Sequence, residues 1–483
     1  MNLIAPIHRH AQLRPDESAI ITPERNISWS QLDKILWSTA ALFNQHGLIA
    51  GDRVGITMAH PVLHLITSLA LARIGVAHIA IPLSESSLAR NALVEKLGLK
   101  QIICDTEKIC STSPNTILLK KLVAAELNQG EKQKLGSTDG QLTWLILQSS
   151  GTTGTPKFAE LTHDMAHERV ERFLALFNSQ QSDIFWAASR PDFVVAKQRL
   201  TFNMIAGAAI CLPHDNRIST ELLDFLNQQK ITLACGTPSH LHQLITIGQS
   251  IPSLRVFEAR SAFINERLRA DFKSNVTPNL YIVYGTNEGE ALSCADPSLQ
   301  SLVPNTVGIA TGSIEIEVVD SSEAPPPSQT TGEVRVRGSG VVTSYLNNPE
   351  ASAKSFKNGW FYPGDLGYLT DEGSLVLQGR KDDLMIFDGM NIYPAEIENV
   401  LSSHPAVNEV AAFALKHERF QDVPVAAVTL KQSVPEKDLI DYCKVPLGIK
   451  HPKRVFVLTE FPRNQMGKIL KRELSAMVLK QQD

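Results

Sequence analysis

Between Leu142 and Lys157 the sequence reads LTWLILQSSGTTGTPK, an apolar run that ends in a cluster of hydroxyls and glycines. Ser149, Ser150, Thr152, Thr153 and Thr155 supply donors, and Lys157 supplies a positive charge. Gly151 and Gly154 free the backbone, so that successive N–H groups can turn toward one anion. This chemistry suits the phosphates of a nucleotide, which a lysine meets as a point charge. It is not the common triphosphate loop, in which the lysine is followed by a Ser or Thr that holds Mg²⁺. Here Pro156 precedes the lysine and Phe158 follows it.

The stretch SSGTTGTPKFAELTH resembles the phosphate loop of the acyl-adenylate superfamily, which holds acyl- and aryl-CoA ligases, peptide-synthetase adenylation domains and beetle luciferases. Further segments resemble that family in the same order. Tyr284-Gly285-Thr286-Asn287-Glu288 is similar to its YGxTE segment, with Asn287 where Thr is usual. The resemblance implies that Tyr284 stacks on adenine and that Glu288 helps to hold Mg²⁺, roles that suit an aromatic face and a carboxylate. Asn287 keeps an amide that can donate to a phosphate oxygen. Asp365, in FYPGDLG, is implied to accept the ribose hydroxyls, with Arg380 of GRKDD beside it. Asp382 matches the family's hinge, and Gly389 lies in a loop implied to line the thiol tunnel. The wording around Gly389 is closer to acyl- and aryl-CoA ligases than to peptide-synthetase domains. Lys468 matches the family's catalytic lysine, whose ammonium meets charge developing on the acyl carboxylate and α-phosphate.

The implied function is ATP- and Mg²⁺-dependent conversion of a carboxylic acid to its acyl-AMP, then transfer to the thiol of CoA or of a carrier-protein phosphopantetheine. The chain ends soon after Lys468, so the acceptor is expected in trans. Three alternatives stand beside this: a freestanding amino-acid adenylating enzyme that loads a carrier protein, a luciferase-like oxygenase, and a non-catalytic adenylate-binding protein.

The acid pocket is less legible. Where the family often has PxFHxxG, this chain has Pro191, Asp192, Phe193, Val194, Val195, Ala196 and Lys197, with Arg199 close behind; a second pocket segment contains Arg260. Lys197, Arg199 or Arg260 could pair with an anionic group on the substrate. The alternative, which has the better claim for any one of them, is that it faces solvent or forms a structural salt bridge. Asp192 could bind the ammonium of an amino acid.

The elements that must position these residues alternate between helical and strand periodicity. Residues 30–46 and 61–74 read as helices, and 53–57 and 77–81 as strands. Such alternation gives parallel sheets flanked by helices. Residues 321–332 carry three prolines and read as a loop within a β-rich subdomain. Beyond Arg380 a smaller α+β pattern is expected, with helices at 394–402, 436–443 and from about 468, and strands at 409–415, 423–430 and 454–458. The fold expected is therefore α/β: a large N-terminal domain of helix-flanked sheets, residues 1–381, and a small mobile α+β domain, residues 382–483.

Composition agrees. The chain has 483 residues, 43% apolar and 20% charged, with a net charge of −4, which is globular and lacks the basic excess of a nucleic-acid binder. The six scattered cysteines read as free thiols of a reducing compartment. The first twelve residues lack the apolar core of a signal peptide. The apolar stretch 63–83 is broken by Arg73, His78 and Pro82, so it reads as a buried helix and a strand, not a membrane span. The cytoplasm is the expected location.

Overall fold

The computed structural model describes residues 1–480 except 114, 123, 125, 126, 150–155, 388, 418–420 and 464–468. Its first helix–strand units form where the periodicity places them. Ser28 caps the helix Trp29–Gln45 in a capping box with Gln31, and the strand Arg53–Thr57 follows. Pro61 opens the helix Pro61–Arg73, every residue of which is buried. Its one buried guanidinium, Arg73, is held 3.2 Å from Asp33 and lies 4.4 Å over the Trp37 ring. The strand Ala77–Ala80 completes the unit. A helix of thirteen residues is too short to span a bilayer, and among the described residues no helix is long and apolar enough to do so.

Two sheets carry the large N-terminal domain. In one, Thr116–Leu118, Gln101–Cys104, Arg53–Thr57, Ala77–Ala80 and Thr143–Ser149 run parallel in that spatial order, and Lys157–Thr162 closes the edge antiparallel. In the other, Ala209–Cys211, Ile184–Ala187, Leu233–Gly236, Val256–Ala259 and Leu280–Thr286 form a parallel run. Glu290–Ala295 and Thr306–Ala310 then reverse direction and lead into the β-rich part, where Leu375–Arg380, Asp365–Leu369 and Gly332–Arg337 pair antiparallel. The proline-rich loop joins Glu315–Val319 to Gly332–Arg337 as an antiparallel hairpin. The C-terminal domain builds its own sheet from Met385–Phe387, Met390–Ile392, Val407–His417, Gln421–Leu430 and Val455–Val457. The helices Pro394–Ser402, Glu436–Leu447 and Lys471–Lys480 belong to the same domain. It has hydrophobic clusters of its own, centred on Met385, Ile397 and Val428 and on Phe413, Phe456 and Leu474. The α/β class with an appended α+β domain is thus the observed fold.

Two expectations need correction. The cysteines are not all free: Cys104 ends a strand, Cys110 ends the short helix Glu107–Cys110 that folds back beside it, and the two form a disulfide with Cα atoms 6.4 Å apart. The other four are free and buried. The last helix begins at Lys471 and not near residue 468.

A buried ion cluster braces the larger sheet. Arg199, fully buried, donates to Glu258 at 2.7 Å and pairs with Glu290, while Arg260 lies 3.0 Å from Glu258 and 2.9 Å from Glu290. Burial pushes the Glu290 carboxyl up, but Arg199, Arg260 and Arg172 outweigh it and hold the group well below the usual carboxylate range. Arg199→Met is expected to destabilise the fold by about 3–5 kcal/mol, because two carboxylates stay buried with one cation fewer. Urea unfolding followed by tryptophan fluorescence checks this.

Candidate active site

Two of the phosphate-loop candidates, Ser149 and Lys157, sit on paired antiparallel strands. Ser149 ends one strand directly opposite Lys157, which begins the next. Ser150, Gly151, Thr152, Thr153 and Gly154 lie outside the described residues. The Lys157 ammonium lies 4.9 Å over the ring of Tyr345. Its pKa is lowered, by burial first, while the charge of Glu288 acts to raise it; Lys354, Arg380 and Asp382 are also within electrostatic reach.

The second predicted segment closes on the first. Leu280–Thr286 is a strand, and its Tyr284 is buried with the hydroxyl donating to Asp365 Oδ2 at 2.6 Å. Burial and the neighbouring Asp365 push the Tyr284 phenol well up, so it stays a donor. Gly285 is required by space: a Cβ there would stand 1.9 Å from the Glu290 carbonyl oxygen. Asn287 donates its side-chain amide to Gln148 O at 2.6 Å, which ties this segment to the strand that leads into the phosphate loop. Glu288 is buried, and its Oε1 accepts from the Tyr345 hydroxyl at 2.9 Å.

Asp365 and Arg380 are cross-strand partners, so the sheet register itself places the guanidinium beside the carboxylate. Arg380 Nη1 donates to Asp365 Oδ1 at 2.9 Å and to Pro363 O at 2.7 Å. Asp382 follows in the one-turn helix Lys381–Asp383, whose first N–H bonds Gly364 O at 2.9 Å. Hydrogen bonds and ring contact thus join Lys157, Tyr345 and Glu288 in one group and Tyr284, Asp365 and Arg380 in another, and the two lie within electrostatic reach of each other.

Gly389 lies apart from that chain of contacts, between the paired strands Met385–Phe387 and Met390–Ile392, with φ +77° and open space where a Cβ would stand. Lys468 lies outside the described residues. On either side of it Arg463 and Ile469 form a bridge, and Leu470 N donates to Pro462 O at 2.9 Å.

The acid-pocket candidates separate. Arg199 and Arg260 are committed to Glu258 and Glu290, so the salt-bridge alternative describes them and the substrate-pocket expectation for Arg260 gives way to it. Asp192 stands 3.4 Å from Arg190. Phe193 precedes the helix Val194–Ala206 and packs against the main core. Lys197, on that helix, is only 2% exposed, and among the described residues its ammonium has no hydrogen-bond or ion-pair partner. Burial pushes its pKa down to about 7, against the more distant charge of Asp192. His64 and His78, buried in turn, have pKa values well below the ordinary range, through burial first and then the Lys197 charge. Neither nitrogen of His64 has a partner. An unpaired ammonium among neutral imidazoles is costly to bury unless an anion arrives to meet it.

Sequence reasoning missed three residues that hold the cleft. Arg169 donates to the carbonyls of Gly340, Asn287 and Glu288, and Arg172 to those of Gly289 and Ser339. Tyr345 contacts both Lys157 and Glu288. The glycine pair Gly338 and Gly340 ahead of a lone tyrosine was the available signal.

The sequence matches the AMP-binding enzyme family over residues 7–346 and the AMP-binding enzyme C-terminal domain over residues 396–468. It is 29% identical over 490 residues to a 2-succinylbenzoate–CoA ligase of Bacillus cereus, covering 97% of this chain and 98% of that one. The fold superposes on O-succinylbenzoate coenzyme A synthetase (MenE) from Bacillus subtilis in complex with ATP and magnesium ion, with a TM-score of 0.86, 26% identity and coverage of 97% and 98%. The same enzyme bound to the acyl-adenylate OSB-AMP superposes with a TM-score of 0.86 at 25% identity, covering 97% of each chain. The chain belongs to the AMP-binding enzymes: it is an AMP-forming acid–thiol ligase, which uses ATP to activate a carboxylic acid as its acyl-AMP and then passes the acyl group to a thiol.

Proposed function

We propose that the acid is a dicarboxylic aryl acid of the 2-succinylbenzoate kind and that the thiol is that of coenzyme A. The observation that carries the first part is Lys197, a buried ammonium without a partner on a helix that begins beside Phe193. A second carboxylate on the acid, the one that does not react, supplies the missing counter-charge. The names of sequence relatives from Bacillus cereus and Bacillus subtilis, 2-succinylbenzoate–CoA ligases, support both parts.

In the first step a carboxylate oxygen attacks the α-phosphorus of ATP, the bond to the bridging oxygen breaks, and pyrophosphate leaves. Lys157 and the hydroxyls and N–H groups of Ser149 to Gly154 hold the phosphates, Tyr284 and Gly285 flank the base, and Asp365 with Arg380 receives the ribose. Asp365 is already oriented for a diol, with one oxygen fixed by Tyr284 and the other by Arg380. Glu288 would hold Mg²⁺, which neutralises phosphate charge when bound. The donor fits: Glu288 offers a carboxylate of which Tyr345 holds one oxygen, and Mg²⁺ ordinarily takes one or two carboxylates plus the substrate's phosphates. Lys468 stabilises the charge that develops during attack.

In the second step the thiol sulfur attacks the acyl carbon, AMP leaves, and the thiol proton is lost. Gly389 gives the pantetheine arm close access to backbone. Asp382 is the hinge between residues 1–381 and 382–483, and ATP and CoA as substrates favour a cytoplasmic setting. Incubation with ATP, Mg²⁺, CoA and 2-succinylbenzoate is expected to give AMP and one CoA thioester by mass spectrometry. Loading of a phosphopantetheinylated carrier protein, with CoA left unacylated, would reverse the choice of acceptor.

A further inference from the structure

The two charged groups at the heart of the cleft do not meet. Lys157 feels the charge of Glu288, yet among the described residues the ammonium rests on the Tyr345 ring, while the carboxylate accepts the Tyr345 hydroxyl at 2.9 Å. One side chain therefore contacts both.

The backbone that carries Tyr345 is stitched to the same two segments. Val342 N donates to Glu288 O at 2.9 Å, and Leu346 N donates to Phe158 O, one residue beyond Lys157, at 2.6 Å. Ser352 Oγ accepts from Tyr345 N at 2.9 Å and donates to Tyr345 O at 3.3 Å. The ring packs edge-on against Phe356 with centroids 5.1 Å apart, and the residue is 7% exposed. Arg169 and Arg172 fix the start of the loop through Gly340 O and Ser339 O. So many restraints on one side chain mark a position held to a geometry and not merely filled.

We infer that Tyr345 is a positioning residue that keeps Lys157 and Glu288 apart, so that the lysine stays available to phosphate and the carboxylate stays aimed for the metal ion. Left to themselves, an ammonium and a carboxylate in one partly dry cleft attract each other and would quench the site. The tyrosine satisfies each without neutralising either: the π-face takes the cation, and the hydroxyl donates to the anion. The inference rests on the proposed roles of Lys157 and Glu288.

The test is calorimetric binding of ATP across a Mg²⁺ titration, for the wild type, Tyr345→Phe, Tyr345→Leu, Glu288→Gln and the Tyr345→Leu, Glu288→Gln pair. Tyr345→Phe keeps the ring and removes the hydroxyl, with its bond to Glu288 and its interactions with Ser355 and Ser149. ATP affinity without Mg²⁺ should then be unchanged, and the half-saturating Mg²⁺ should rise about 10-fold, the scale of a hydrogen bond to a charged group. Tyr345→Leu should also weaken ATP binding without Mg²⁺, as Lys157 falls onto Glu288, and adding Glu288→Gln should restore it. A change of thermal stability alone moves neither quantity. If Glu288→Gln shifts the Mg²⁺ curve and Tyr345→Phe does not, the hydroxyl's role is overturned. If Glu288→Gln leaves that curve unmoved, the metal reading of Glu288 fails instead. Failure of the double variant to restore ATP binding overturns the spacer itself.

Discussion

Replacing Lys468 by alanine is expected to lower acyl-adenylate formation by about 10²-fold or more while the protein stays folded. The reasoning starts from charge. As the acyl carboxylate attacks in line, negative charge redistributes across the α-phosphate and the two flanking oxygens, and little covalent chemistry is left for the protein to perform. A cation that meets this charge acts on the transition state more than on bound ATP, so the loss should appear in kcat more than in the KM for ATP. Thiolysis of pre-formed acyl-AMP has no phosphoryl transfer and should be much less affected. The role of Lys468 is in the reaction and not in the core, so the urea midpoint should match that of the wild type. The two measurements are ATP–pyrophosphate exchange and thiolysis of synthetic acyl-AMP. Unchanged exchange removes Lys468 from the chemistry.

Lys197→Met should lower kcat/KM for a dicarboxylic aryl acid by about 10²-fold or more, on the scale of one lost buried charge pair. The effect on the matching monocarboxylic acid should be small or favourable, since methionine keeps the packing and removes an unpaired charge. The wild type should also show a pH signature. Lys197 in the free enzyme has its pKa pushed down to about 7 by burial. Only its protonated form attracts a carboxylate, and that form is lost as pH rises through about 7. The Kd for the acid should therefore be flat below that pH and rise about 10-fold per unit above it. His64 and His78, the imidazoles that feel its charge, stay neutral over that range, and Asp192, the carboxylate that feels it, stands 3.4 Å from Arg190. Calorimetry of acid binding from pH 6 to 9 checks the slope, and Lys197→Met should abolish it.

The same helix shows where sequence reading stops. Lys197 and Arg199 are two residues apart, and both are cations in the expected pocket segment. On an α-helix that spacing turns the side chains about 200° apart, so they face opposite ways. Arg199 meets Glu258, fifty-nine residues distant in the chain, and Lys197 meets no partner among the described residues. Nothing local distinguishes them. The cleft was more legible because its determinants are local or enforced by register. Ser149 and Lys157 face each other across paired antiparallel strands that their own sequence writes, and Asp365 and Arg380 face each other across another such pair. Tyr345, Arg169 and Arg172 escaped notice because each acts through contacts more than fifty residues away, two of them on backbone carbonyls that carry no sequence signal. The Cys104–Cys110 bond was hidden in another way. Its six-residue spacing belongs to no common motif, and the close approach depends on a helix of only four residues.

The most direct test of the account is ATP–pyrophosphate exchange without any thiol, run on separate pools of fatty, monocarboxylic aryl, dicarboxylic aryl and amino acids. The account predicts exchange with the dicarboxylic aryl pool, led by 2-succinylbenzoate, and its loss in Lys197→Met. Exchange confined to fatty or amino acids, or undiminished in that variant, would contradict it.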